Sequence, residues 1–234
     1  MALLDYLFPK HCPICLRALP PGDMTIHSPC REKIRYVRGA TCFKCGKPLS
    51  SETREFCRDC EKHMPPFSEG IAWGEYTSSY LRRMMSEVKY HGRCQILDYP
   101  CEDFAKTYLY RIEAWNAEAL IPVPVHPSRR MSRGYNQAEE ICFRLSKIWH
   151  IPVDEKYLSR TVRTAAQKEL TKEERAKNLS RAFSVTGEPE KYRRVILVDD
   201  IYTTGSTVSA CTEALKSAGV EEVFAAVLLI GRDV

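Results

Sequence analysis

Val195-Ile196-Leu197-Val198-Asp199-Asp200-Ile201-Tyr202-Thr203-Thr204-Gly205-Ser206-Thr207 joins an apolar run, two adjacent acids and a hydroxyl-rich turn, and a helical pattern follows at once. Four apolar residues in a row suit a strand covered on both faces, and the carboxyl end of such a strand is where open α/β sheets bind ligands. The turn Thr203 to Thr207 offers closely spaced backbone N–H groups, hydroxyls, and a glycine that permits close backbone approach, all at a helix N-terminus. That combination suits an anion, and a phosphate above all. Two carboxylates cannot themselves favour a phosphate, so Asp199 and Asp200 must address another part of the same ligand, such as sugar hydroxyls or a metal-bridged group. A phosphorylated sugar satisfies both halves.

The surrounding pattern alternates strands and helices. A strand is expected at Ile71 to Tyr76, then a helix capped by Ser78 or Ser79 with Leu81, Met84, Met85 and Val88 at i, i+3, i+4 and i+7 and Gly92 at its end. A helix over Pro100 to Trp115, a strand at Ala119 to Val125, a helix from Tyr135 to Trp149, a strand at Arg194 to Val198, a helix after Thr207 and a strand at Glu222 to Ile230 complete the series. The expected class is α/β, with a largely parallel sheet flanked by helices.

Ahead of this lies a different kind of sequence. CPIC begins at 12, HSPC at 27, CFKC at 42 and CRDC at 57, a constant step of 15 residues. A two-residue spacer lets both side chains of a tight knuckle reach one tetrahedral Zn²⁺, and two knuckles complete a shell. Two structural zincs follow, with Cys12, Cys15, His27 and Cys30 assigned to one and Cys42, Cys45, Cys57 and Cys60 to the other, because sequential pairing closes short loops. A cross-braced pairing satisfies the spacing equally. Closed four-ligand shells leave no open position for substrate, so chemistry is sought elsewhere. Met64-Pro65-Pro66-Phe67 marks a boundary, which divides the chain into a double zinc-ribbon domain (1–64), a linker (65–70) and the α/β domain (71–234). Cys94, Cys101, Cys142 and Cys211 lack metal spacing and read as small packed residues.

Composition narrows the function classes. The 234 residues carry a formal charge of +5, which seven thiolates and two Zn²⁺ take to about +2, so the chain is not a strongly basic nucleic-acid binder by charge alone. The longest apolar run, Val223 to Ile230, is far short of the roughly 20 residues a membrane-spanning helix needs. No basic region precedes the apolar stretch around Asp5, so no secretory signal is expected and the cytoplasm is the expected compartment. A peripheral contact at the inner face of the membrane through Ala2 to Phe8 stays open beside a short helix packed on the ribbon. Neither GxGxxG nor GxxxxGK[ST] occurs, which argues against dehydrogenases and mononucleotide kinases.

The string VILVDDIYTTGST resembles the phosphoribosyl-diphosphate (PRPP) motif of type I phosphoribosyltransferases. By position, the resemblance implies that Asp199 and Asp200 hold the ribose hydroxyls as the catalytic pair, and that Thr203, Thr204, Gly205, Ser206 and Thr207 hold the 5′-phosphate. A second stretch, Ile121 to Gln137, carries Arg129, Arg130 and Arg133, whose guanidinium forks suit a diphosphate. PVPxHxxxxxxRGYNQA, the upstream LRRMMSEVKYHGR, the PRPP motif and the N-terminal CxxC pairs together resemble the ComF family over essentially the full length. Arg160 to Phe183, with Arg163, Gln167, Arg175 and Asn178, matches the same family, and Thr171 with Glu174 forms a capping box there. His27 stands where the family usually has cysteine.

The resemblance implies a PRPP-binding protein, with Mg²⁺ accompanying PRPP, that assists natural transformation by importing or handling single-stranded DNA alongside other competence proteins. Two classes of activity remain open. In one, an active phosphoribosyltransferase or PRPP hydrolase acts on an unidentified acceptor in nucleotide metabolism; in the other, PRPP is a bound ligand or signal and the zinc module with the basic segment engages DNA or proteins. A zinc-dependent transcription factor is disfavoured, because no recognition helix follows any knuckle.

Overall fold

The structure, a computed structural model, describes residues 9–22, 24–160 and 182–233. The N-terminal module consists of two knuckle pairs. Each opens with a tight turn closed by an antiparallel bridge, His11 to Ala18 and Thr41 to Pro48. Each ends in a single-turn helix, α1 (Ser28–Arg31) or α2 (Arg58–Lys62).

The α/β domain follows as β1 (Gly70–Glu75), α3 (Ser79–His91), a 3₁₀ turn (Cys94–Leu97), α4 (Asp98–Trp115), β2 (Ala119–Pro122), α5 (Pro127–Arg133) and α6 (Gln137–Trp149). It continues with β3 (Leu158–Arg160), β4 (Phe183–Val185), β5 (Arg194–Tyr202), α7 (Ser206–Ser217) and β6 (Glu222–Ile230). Four strands form one parallel sheet in the order β1-β6-β5-β2, and β3 pairs antiparallel with β4 apart from it. Successive residues of a strand point to opposite faces, and two cores result. Ile71, Trp73, Leu120, Ile196, Val198, Phe224 and Ala226 join α3, α4 and α6 on one face. Ala72, Ile121, Val195, Leu197, Val223, Ala225 and Val227 join α7 and the β3-β4 pair on the other. Cover on both sides is why β5 and β6 can be continuously apolar.

Several boundaries differ from the sequence pattern, each for a physical reason. β2 stops at Pro122, because Pro122 and Pro124 carry no N–H for the ladder. α6 starts at Gln137, since the Asn136 side chain caps it by accepting from the Ala138 N–H at 3.1 Å. β5 runs past its acids: Asp199, Ile201 and Tyr202 stay in register with Val227, Leu229 and Ile230. The arginine stretch forms the short helix α5, with His126 Nδ1 accepting from the Ser128 N–H and Pro127 at its first position. The proline-rich connector is not a free spacer. Phe67 is fully buried, the Ser68 N–H donates to the Val223 carbonyl at 2.7 Å, and Gly70 already belongs to β1.

Candidate functional site

The zinc-ribbon cysteines fall into two clusters, and these join sequential pairs. Cys12, Cys15, His27 and Cys30 form one and Cys42, Cys45, Cys57 and Cys60 the other, with the donor atoms of each within 4.8 Å of one another. A tetrahedral ion with Zn–S bonds of 2.3 Å sets its sulfurs about 3.8 Å apart. The Cys45 and Cys57 sulfurs lie 3.6 Å apart, and Cys15 Sγ lies 3.3 Å from His27 Nδ1, so both donor sets fit zinc and His27 would ligate through Nδ1. The clusters differ in exposure: all four cysteines of the second are buried, whereas Cys15 and His27 of the first reach solvent. Buried Lys47, paired to Asp59 at 2.5 Å, sets a positive charge beside the second cluster.

At the carboxyl end of β5, Asp199 and Asp200 stand side by side. The Asp200 N–H donates to Asp199 Oδ1 at 2.8 Å, and the Lys89 ammonium, from the last turn of α3, pairs with Asp200 at 2.8 Å. Burial, followed by the neighbouring Asp200 charge, pushes the Asp199 carboxyl up to about 8. In its protonated form Asp199 can donate to a hydroxyl as well as accept.

The chain then turns through Thr203, Thr204 and Gly205 into α7. Gly205 caps the helix at φ +77°, and a Cβ there would sit 2.2 Å from the Tyr202 hydroxyl. Both its left-handed backbone and its missing side chain are thus required. Thr204 and Ser206 share a hydroxyl hydrogen bond at 2.9 Å, and Thr203 to Thr207 line a recess of about 30 Å³ at the helix N-terminus. With first-turn N–H groups directed into it, this recess has the size and polarity of an anion cradle.

The recess opens onto a cleft of about 520 Å³ that Asp199, Asp200, Thr203 and Thr207 line from the sheet side. Arg129 and Arg133 line it from α5, with Arg133 bonded to Gln137 Oε1 at 3.0 Å and stacked 5.5 Å from the Tyr90 ring centre. Arg130 does not reach the cleft; it is ion-paired to Glu139. Three further groups join that sequence reasoning left out: Lys89, Tyr90 and Arg160, the last stacked on Phe183. Lys89 and Tyr90 lie within LRRMMSEVKYHGR and Arg160 opens the basic segment, so the family resemblance quoted these stretches without assigning the three residues to the site. Facing the two acids, Lys89, Arg129, Arg133 and Arg160 make a cleft suited to a ligand with several phosphate groups and a polyol. A separate recess of about 430 Å³ between β4 and α7 contains none of the expected site residues. Arg163, Gln167, Thr171, Glu174, Arg175 and Asn178 lie outside the described residues, as does Ala2 to Phe8.

Comparison with known proteins names both halves. The double zinc ribbon family matches residues 3–61 and the phosphoribosyl transferase domain family residues 140–233. Among solved structures, the purine phosphoribosyltransferase from Pyrococcus horikoshii is 17% identical, aligns over 56% of this chain and 73% of its own, and superposes with a TM-score of 0.37. The class assignment rests on the family matches and the sheet itself: a double zinc ribbon joined to a type I phosphoribosyltransferase fold.

Competence protein F of Haemophilus influenzae is 31% identical over 92% of this chain and 95% of its own. Competence protein ComFC of Bacillus subtilis is 27% identical over 86% and 81%, and the DNA utilization protein YhgH of Escherichia coli O157:H7 is 29% identical over 92% and 94%. The chain belongs to the ComF family of competence proteins. Among the described residues, no helix is long and apolar enough to cross a membrane.

Proposed function

We propose that the cleft binds PRPP and that the protein uses this site while assisting natural transformation, at the step where single-stranded DNA is imported or handled. The observation that carries the reading is the junction of the Asp199-Asp200 pair with the Thr203 to Thr207 cradle at one strand end, under a wall of four cations. In this reading the acids hold the ribose 2′- and 3′-hydroxyls, the cradle holds the 5′-phosphate, and Arg129, Arg133 and Lys89 meet the diphosphate. Carboxylates are oxygen donors of the kind Mg²⁺ accepts, and the ion would neutralise charge on the diphosphate. Two structural zincs hold the ribbons. The names of the relatives, two competence proteins and a DNA utilization protein, support the cellular setting.

A second reading, an active transferase or PRPP hydrolase, is favoured by the same cations, which are placed to stabilise charge on a departing diphosphate. One experiment addresses both. Calorimetric titration of PRPP with Mg²⁺ into the zinc-loaded wild type and the Asp199→Asn/Asp200→Asn variant should give saturable binding only in the wild type, and a pyrophosphate assay follows on the cell contents. Pyrophosphate release assigns turnover, its absence without an added acceptor leaves both acceptor-dependent transfer and a ligand role standing, and equal heats in both proteins would sink the PRPP site.

A further inference from the structure

The zinc module carries a band of cations that the PRPP site does not use. Arg31, Lys33, Arg35 and Arg38 are all exposed within eight residues, and Arg82 and Arg83 are exposed on the first turns of α3. Among the described residues, none of the six has an acid within ion-pair distance. The nearby acids are engaged elsewhere: Asp103 accepts from the Trp73 indole, Glu102 pairs with Lys106, and Glu75 pairs with Arg232. Glu32 is the one acid within the segment.

Arg31, Lys33 and Arg38 share the surface carried by Tyr99, Tyr80 and Tyr36, and Arg83 follows Tyr80 by three residues on α3, whereas Arg35 alternates to the side of Val37. Residues 35 to 37 lie along the outer edge of β1, where Val37 N–H donates to Trp73 O and Glu75 N–H donates to Arg35 O. The band is therefore fixed to the sheet by backbone hydrogen bonds. Tyrosines hold three of the cations in place: Arg38 lies 4.6 Å from the Tyr36 ring centre, Arg31 5.4 Å from that of Tyr99, and Lys33 5.8 Å from that of Tyr80. The Tyr36 and Tyr99 hydroxyls are themselves joined at 2.8 Å. A cation resting on a ring keeps its donors outward and loses less freedom on binding an anion.

We infer that the part of this band sharing one surface, Arg31, Lys33, Arg38 and Arg83, is the track on which single-stranded DNA lies. The inference deepens the DNA-handling part of the proposed function and rests on it. A row of fixed cations matches a phosphate backbone, and the Tyr80 ring, 39% exposed at the band, offers a face on which a base can stack. A bilayer would require aliphatic side chains to insert, and the exposed residues of the band are Arg, Lys, Glu, Ser and Tyr. The site is also distinct from the basic segment Arg160 to Arg181, which sequence alone makes the obvious candidate.

Fluorescence anisotropy of a labelled oligo-dT probe against the full zinc-loaded chain, at a series of salt concentrations, tests this. Four phosphate contacts give a log–log salt slope of about −3, and removing three lowers its magnitude to about −1. The triple variant Lys33→Gln/Arg38→Gln/Arg83→Gln should show that flattening and a loss of affinity of tenfold or more at low salt, with PRPP binding unchanged. Lys168→Gln/Lys172→Gln/Lys177→Gln should leave the slope near the wild-type value. The reverse pattern overturns the track while leaving DNA handling standing, and a wild type that does not bind the probe removes both. Loss of binding to phosphatidylglycerol vesicles with unchanged DNA binding would reassign the band to a membrane surface and overturn the proposal.

Discussion

The two zinc clusters come from one 15-residue repeat, yet they finish on opposite faces of the sheet. The first packs with Ile34, Trp73 and the helices α3 and α4. The second packs with Val37, Phe67 and Tyr202 on the α7 side. Between them, residues 35 to 37 run along the edge of β1, so the module straddles that edge like a clip. The edge strand is thereby paired and covered, which removes an otherwise open template for aggregation. The difference teaches that identical knuckles acquire separate roles from what they touch. The first cluster presents a charged outer surface, and the second packs with Tyr202 beneath the turn at Gly205.

Tyr202 makes the second contact specific. It is buried, meets Phe67 edge to face at 6.3 Å, and places its hydroxyl where Gly205 leaves room. The thiols of the second cluster lie close enough to Tyr202 that they reinforce the rise in its phenol pKa, which burial causes in the first place. Breaking the second cluster should therefore have the largest effect. Cys57→Ser should cost one zinc equivalent and weaken PRPP binding by tenfold or more, whereas Cys15→Ser should cost one zinc equivalent and change PRPP affinity by less than about threefold. The free energy of a structural zinc site, about 10–16 kcal/mol, is ample for such an effect. Zinc content by metal analysis, with calorimetric titration, measures both, and equal losses of PRPP affinity would erase the distinction.

Gly205→Ala sharpens the same comparison from the loop side. The substitution forces a Cβ into Tyr202 and a non-glycine residue into φ +77°, at about 1 kcal/mol for the backbone alone and more for the clash. PRPP affinity should fall about tenfold while both zincs stay bound. An unchanged affinity would mean that the loop moves freely over Tyr202.

The sequence pattern located the adjacent acids, the turn Thr203 to Thr207 and both clusters of cysteine and histidine, because each is a short local motif that does not depend on distant partners. β6 was legible to its ends, Glu222 to Ile230, since a strand buried on both faces is one apolar run. Other features depended on tertiary neighbours. Lys89 looks like any cation on the polar side of α3, and only the placement of that helix beside β5 brings it to Asp200. Arg130 could not be told from Arg129 and Arg133 by spacing, because its partner Glu139 lies in the next helix. The short pair β3-β4 brings together strands that are 25 residues apart and only three residues long, which leaves no periodicity to find.

A pH prediction follows from Asp199. Its carboxyl is raised from 3.8 to about 8, so between those values the folded protein holds a proton that the unfolded chain has released. Stability consequently falls as pH rises through that window and levels off above it. Asp199→Asn stays neutral throughout, so the melting temperature of the ligand-free wild type should decline relative to the variant between pH 5 and about 8, and the two curves should run parallel at higher pH. Parallel curves across the whole range would place the Asp199 pKa near its ordinary value.

The smallest effect separates the three arginines of α5. Arg129 and Arg133 line the cleft, while Arg130 is engaged with Glu139, itself buried and within 3.5 Å of the Asn136 amide that caps α6. Arg130→Ala removes no cleft cation, but it leaves Glu139 without its ion-pair partner, so its cost should appear as stability, on the order of 1 kcal/mol in a partly exposed pair. PRPP affinity should change by less than about twofold, against a fivefold or larger loss for Arg129→Ala or Arg133→Ala, whose guanidinium groups would lie against the diphosphate. Calorimetric titration beside thermal melts of the three single variants ranks them. A loss of affinity in Arg130→Ala equal to the other two would mean that ligand binding releases Arg130 from Glu139, and all three arginines would then belong to the site.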